Sequence, residues 1–225
     1  MAKRAAKLGI DIDVTKYHGK IDVVVDSTGL KVFGEGECGI ARVGYRPPLC
    51  VKKHGWAKHR TWRKLHLMID PATHQIIAEL LTGNDVHDSQ TVKTLLNETK
   101  NDIERFYGDG AYDPWEVRDE LEGRGIEQVI PPREDAVLQN RRDGRRKERD
   151  AAIREIGKIG RKGWKERIGY HRRSLSETGM YRMKTIFGGN LKNRKFENQQ
   201  TEVRLRCKLL NKLSTFGMPK SVPKE

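Results

Sequence analysis

Apolar residues change their spacing several times along this chain, and each change marks an element. Ile21-Asp22-Val23-Val24-Val25-Asp26 is a β-branched run that leads into Ser-Thr-Gly. It reads as a strand buried on both faces, followed by a turn, with Asp26 at or just past the strand end. Leu30 to Phe33 is long enough for a second strand. Thr61 to Ile69 (TWRKLHLMI) and Gln75 to Leu81 (QIIAELL) flank Asp70-Pro71-Ala72-Thr73-His74. This pattern predicts a β-hairpin with Asp70 as a turn residue. Between Asn84 and Lys100, Val92, Leu95 and Leu96 recur at helical spacing, and Asp88 or Asn84 can cap the helix. Ile103 to Tyr107 predicts a short strand, a helix runs from Asp113 to about Glu122, and Ile126 to Ile130 makes the next strand. The order predicts a mixed α/β domain.

Two aspartates near residue 110 differ in their surroundings. Asp113 precedes Pro114 and has Glu116 three residues on, so it reads as an N-cap with a capping box. Asp109 lies between Gly108 and Gly110 at a strand end, where small neighbours let a ligand or another backbone come close. It has no evident capping duty.

The stretch Tyr170 to Lys184 (YHRRSLSETGMYRMK) reads as one helix, with only Gly179 against it. At 100° per residue Tyr170, Arg173, Glu177 and Lys184 fall within roughly 60° of one another. Leu175, Gly179, Met183 and Ile186 occupy the opposite face and predict core packing. Further on, Val203, Leu205, Leu209, Leu210 and Leu213 predict an amphipathic helix between Glu202 and Leu213.

Composition narrows the class. The 225 residues carry a net charge of +14 with 36% hydrophobic residues, enough for one sizeable domain. The excess is local: Arg141 to Arg173 holds fourteen Lys or Arg against five Asp or Glu. Such a field favours a polyanion, most often nucleic acid. This basic segment, residues 133–169, reads as broken helices over the sheet edge, and Trp164 within it could stack or pack. Cys38, Cys50 and Cys207 include no CxxC and no Cys/His pair at zinc spacing. No apolar run reaches a membrane span, and the start MAKRAAKLG lacks the apolar stretch of a signal peptide. A cytoplasmic protein with no membrane partner is expected.

Taken together, DSTGL at 26–30, RTWRKLHL at 60–67, GDGAYD at 108–113, VIPPR at 129–133 and YHRRSLSET at 170–178 resemble an insertion-sequence transposase of the IS5/IS4-type DDE group. The Y-x2-R-x3-E-x6-K pattern of that group is met at Tyr170, Arg173, Glu177 and Lys184. The resemblance covers about residues 20–215. It implies an RNase H-like fold, a mixed sheet flanked by helices, with Asp26, Asp109 and Glu177 as the catalytic, metal-binding triad. It also implies that Tyr170, Arg173 and Lys184 hold DNA phosphates, and that the partners are double-stranded DNA at transposon ends and target. A homodimer or a partner transposase subunit is implied, in a prokaryotic, nucleoid-associated setting.

Mg2+ suits such a triad, since it prefers carboxylate and water oxygens, and Mn2+ is a possible substitute. Two such ions can activate the attacking oxygen and stabilise the leaving one. The expected reaction is cleavage at the element's end to free a 3′-OH, followed by strand transfer to target DNA. An RNase H-like nuclease without strand transfer, and an inactive DNA-binding or regulatory fragment, are the alternative readings.

Two departures from the group's pattern stand out. Only 25 residues precede Asp26, where the group usually carries a helical domain, so a truncated frame is expected. CGIARVGYRPPLC at 38–50 interrupts a junction that is normally almost direct, and reads as an exposed loop insertion. The organisation expected is a weakly ordered basic segment 1–20, a catalytic domain 21–215 and a tail 216–225.

Overall fold

A computed structural model describes residues 9–12, 19–32, 62–139 and 147–216. The expected loop insertion 38–50, Cys38, Cys50 and most of the terminal segments 1–20 and 216–225 lie outside them. Strand β1 spans Ile21–Val32, β2 Trp62–Ile69 and β3 Ile76–Gly83. A 3-10 turn at Asp88–Thr91 leads into helix α1, Val92–Glu98. Strand β4 (Ile103–Tyr107), a 3-10 turn at Gly110–Tyr112, helix α2 (Trp115–Gly123) and strand β5 (Glu127–Val129) follow. Helix α3 covers Lys147–Arg167, a 3-10 turn Tyr170–Arg173, helix α4 Ser174–Phe187, strand β6 Asn190–Leu191 and helix α5 Phe196–Thr215.

The sheet order is β3-β2-β1-β4-β5. β1 runs antiparallel to β2 and parallel to β4, and β4 is parallel to β5. This is the expected mixed sheet flanked by helices. β1 is longer than its sequence suggests. It passes through Asp26 and Asp-Ser-Thr-Gly without turning, because β2 pairs with it continuously from Val24 opposite Ile69 to Lys31 opposite Trp62. That ladder overrides the local turn preference, and Leu30 to Val32 are the end of β1 rather than a second strand.

On its other edge β1 changes neighbour. It pairs with β4 from Ile21 to Val24 and with β6 only at Lys31 and Val32. The backbone edge between those stretches is a window in the sheet, and Asp26 lies within it. The hairpin of β2 and β3 forms as expected. Asp70 shapes its turn by accepting from the Ala72 N–H (2.8 Å) and the Thr73 hydroxyl (2.6 Å).

Both sheet faces are covered. Val23, Val25, Met68 and Phe106 pack with Leu95 and Leu96 of α1 and Leu121 of α2. Leu30, Leu65, Leu67 and Ile69 pack with Met180 and Met183 of α4 and Val203, Cys207 and Leu210 of α5. Each fully buried aliphatic side chain here contributes about 1.5–3 kcal/mol. On α5 the buried stripe is Val203, Cys207 and Leu210, whereas Leu205, Leu209 and Leu213 are 41–45% exposed, against expectation. Asn211 closes the edge of β3, accepting from the Ile76 N–H at 2.7 Å and donating to its carbonyl at 2.8 Å.

Helix α3 is broken at Gly160, whose φ of 76° lies outside the helical region. It lies along the β5 edge, where Glu148 accepts from the Gln128 N–H and Arg161 donates to the Pro132 carbonyl. Trp164 is 3% exposed and packs rather than stacks.

Candidate active site

Asp26 projects from the β1 window toward α4. Its Oδ1 accepts from the Ser27 N–H at 2.8 Å, and its Oδ2 accepts from Arg173 Nη2 at 2.9 Å and from the Ser176 hydroxyl at 3.1 Å. Burial raises the pKa of this carboxyl above its ordinary value, while the Ser27 bond and the Arg173 charge pull the other way. A cation beside Asp26 is what allows it to stay ionised in so enclosed a place.

Asp109 follows β4 directly. It does carry a capping duty, contrary to expectation: Oδ1 accepts from the Ala111 N–H at 2.8 Å and starts the Gly110–Tyr112 turn. Oδ2 is left to face Arg173 Nη2 at 3.5 Å. Gly108 makes the turn possible, since a Cβ there would stand 2.9 Å from the Tyr112 ring. Asp26 and Asp109 are thus oriented alike, with a backbone N–H on Oδ1 and the guanidinium on Oδ2.

The stretch 170–184 is not one helix. Gly169 adopts φ +69°, Tyr170–Arg173 form a 3-10 turn, and the α-helix starts at Ser174. The tighter turn carries Arg173 back over Asp26 and Asp109. On α4 the buried face is Ser176, Gly179, Met180 and Met183, and Ile186 is 48% exposed. Glu177 stands one turn beyond Arg173 with an exposed side chain, and its Oε1 accepts from Arg173 Nη1 at 3.2 Å. Lys184 is partly buried and lies two turns further along the same face as Glu177.

Tyr170 packs its ring on Val24, Tyr107 and Val129, and Lys165 Nζ lies 5.1 Å over that ring. Burial raises the pKa of its phenol. Asp26, Asp109 and Glu177 are therefore gathered around one guanidinium, with Tyr170 beside it. Among the described residues, no three acidic, histidine or cysteine side chains stand close enough to share one ion as they are. The three carboxylates around the guanidinium offer oxygen donors only, which is the donor chemistry that a hard divalent ion takes.

Two residues near the site take parts that the sequence did not point to. Ser176 is fully buried and ties Asp26 to the Arg173 carbonyl, which it reaches at 2.8 Å. Asp113 is not an N-cap, because α2 begins at Trp115 after Pro114. Its carboxylate is buried between Arg118 Nη2 at 2.8 Å and Arg149 Nε at 3.2 Å, and it also accepts from the Arg133 N–H. It clamps α3 to α2 and to the segment after β5, close to the Asp109 turn. His87 caps the 3-10 turn Asp88–Thr91, its N–H donating to Gln90, and Thr91 stands at the N-cap of α1, while Asp88 pairs with Lys64 and lies beside the His66 ring. No helix among the described residues is long and apolar enough to cross a membrane.

A solved structure similar to this chain is described as a cryo-EM structure of the piggyBac transposase synaptic complex with hairpin DNA. It aligns with 89% of this chain and 48% of its own at 11% identity and a TM-score of 0.47. This chain thus spans about half the length of that protein. The family model for the transposase DDE domain matches residues 17–212, and with nearly the whole described fold inside that match, the chain belongs to the transposase DDE domain family.

Proposed function

We propose that this chain is the catalytic domain of an IS5/IS4-type insertion-sequence transposase that cuts DNA at the element's ends and joins the freed 3′-OH to target DNA. The observation that carries this is the meeting of Asp26, Asp109 and Glu177, from three separate elements, around Arg173. Asp26, Asp109 and Glu177 would hold two Mg2+ ions, with Mn2+ as a substitute. When bound, such ions supply charge relief on the leaving oxygen and acidify the attacking water or hydroxyl.

The chain's own groups do the rest. The Ser27 and Ala111 N–H groups fix the two aspartates, and Ser176 locks Asp26 to the start of α4. Arg173, Tyr170 and Lys184 hold the phosphates flanking the scissile bond, and exposed Lys158 and Lys162 of α3 extend that track along the duplex. In the first step water attacks phosphorus and the P–O3′ bond breaks, leaving a 3′-OH and a 5′-phosphate. In the second, that 3′-OH attacks a target phosphodiester and displaces the 3′ oxygen of the cut target strand. Pairing of two ends by a homodimer or a partner subunit completes the reading.

The test is Glu177→Gln in a Mg2+-dependent nicking and strand-transfer assay on terminal-repeat DNA. Cutting is expected to fall about a hundred- to a thousandfold, in line with loss of electrostatic stabilisation at the reacting centre, while salt-dependent binding to duplex DNA persists. Retained cutting refutes the assignment.

A further inference from the structure

Arg173 is surrounded by acids in an unusual way. Nη2 serves both Asp26 and Asp109, Nη1 serves Glu177, and Nε is buried with no hydrogen-bond partner among the described residues. Among the described residues, the guanidinium is hydrogen-bonded by the three carboxylates that the proposed reaction needs. Their charges outweigh the burial that works against its own, so Arg173 keeps its proton more firmly than an ordinary arginine. A divalent ion bound to the same carboxylate oxygens cannot share the space with this cation, by volume or by charge.

We propose that Arg173 is the positioning residue of the acid cluster and couples metal entry to DNA binding. It braces the three carboxylates until a divalent cation replaces it, and then turns its guanidinium to a phosphate of the strand to be cut. This rests on the active-site reading above. Arginine suits both states, because its planar fork pairs equally well with carboxylate and with phosphate. The consequence is reciprocal. A phosphate that draws Arg173 away frees the acids for metal, and metal that expels Arg173 frees it for phosphate. The cluster therefore takes up metal weakly until DNA is present.

The test measures Mn2+ affinity of the full chain by the electron-spin resonance signal of free Mn2+. It compares wild type, Arg173→Gln, Arg173→Lys and Asp26→Asn, each alone and with a short duplex whose own Mn2+ uptake is subtracted. Without DNA, R173Q is expected to bind Mn2+ about 10-fold tighter than wild type, within the usual range of coupling between sites. R173K, which keeps the charge that steadies the fold but not the fork, falls between. With DNA, wild-type affinity rises by a similar factor and the R173Q gain disappears. Equal or weaker Mn2+ binding by R173Q and R173K without DNA overturns the proposal, since a mere brace would let the acids splay when lost. Undiminished Mn2+ binding by D26N overturns the active-site reading itself, a result separable from the first.

Discussion

At Gly179 helix α4 lies close against Ile69 of the sheet, and replacing it with alanine tests how this helix is seated. A Cβ at this position would lie 2.5 Å from Ile69 Cδ1, in a layer where Ile69 is 1% exposed. Two effects oppose one another. Alanine favours the helix by about 1 kcal/mol over glycine. Forcing a methyl into a filled core costs about 1–3 kcal/mol, through an off-rotamer Ile69 or a lifted helix. Gly179→Ala should therefore destabilise the protein by about 0–2 kcal/mol.

The decisive partner is Ile69→Val, which removes Cδ1 alone at a cost of about 0.5–1.5 kcal/mol. In that background Gly179→Ala should become stabilising by up to about 1 kcal/mol, giving a coupling energy of about 1–3 kcal/mol between neighbouring sites. Urea unfolding of the four proteins reads these values from the midpoints, with m held common. If Gly179→Ala yields the full helix-propensity gain with Ile69 intact, or the coupling is zero, the close seating of α4 on β2 is refuted. The same lift would carry Arg173 and Glu177 away from Asp26, so activity should fall with Gly179→Ala and return in the double variant.

Asp113→Asn leaves Arg118 and Arg149 facing one another in a buried site, so a loss of about 3–5 kcal/mol in urea stability is expected; a change below about 1 kcal/mol would show that the clamp is dispensable. His66 gives the pH dependence. Burial lowers its pKa to about 4 from the ordinary 6.5, with Asp88 acting in the opposite direction. The unfolded chain takes up the proton that the folded state resists, so this contribution is whole above pH 6.5 and is lost as pH falls toward 4. At pH 4.5 the loss from this group is about 2.5 kcal/mol. The stability difference between pH 7 and pH 4.5 should shrink by that amount in His66→Gln, and an unchanged difference would contradict the buried neutral imidazole.

Much of the fold was legible in the chain because its hairpin, α1 and β4 are locally consistent. Val92, Leu95 and Leu96, for example, are buried as their spacing predicts. Two of the errors share a physical origin, which is a distant partner that wins over a local preference. Asp-Ser-Thr-Gly at 26–29 stays extended because β2, some forty residues later, pairs across it. Asp113 abandons its cap because Arg149, 36 residues later, offers a buried ion pair. The four-residue face of 170–184 is altered by a 3-10 turn, in which three rather than 3.6 residues make a turn. The buried stripe is accordingly Ser176, Gly179, Met180 and Met183. Periodicity could not bring Asp26, Asp109 and Glu177 together, since they stand on a strand, a loop and a helix. Family resemblance named them, and the structure gathers them around Arg173. Ser176 was missed because a serine inside a helix looks like any weak helix former until its depth is known.

The exchange of neighbours along β1 bears on how this protein can be dissected. A fragment ending before residue 140 would hold two of the acids, but its central strand would show a bare stretch of amides and carbonyls where β6 and α4 should lie. Such an edge invites pairing between copies. A fragment from 147 onward would carry Glu177 and Arg173 with no surface to rest on. Neither piece holds the whole acid cluster, and split versions would rebuild it only by complementation in trans.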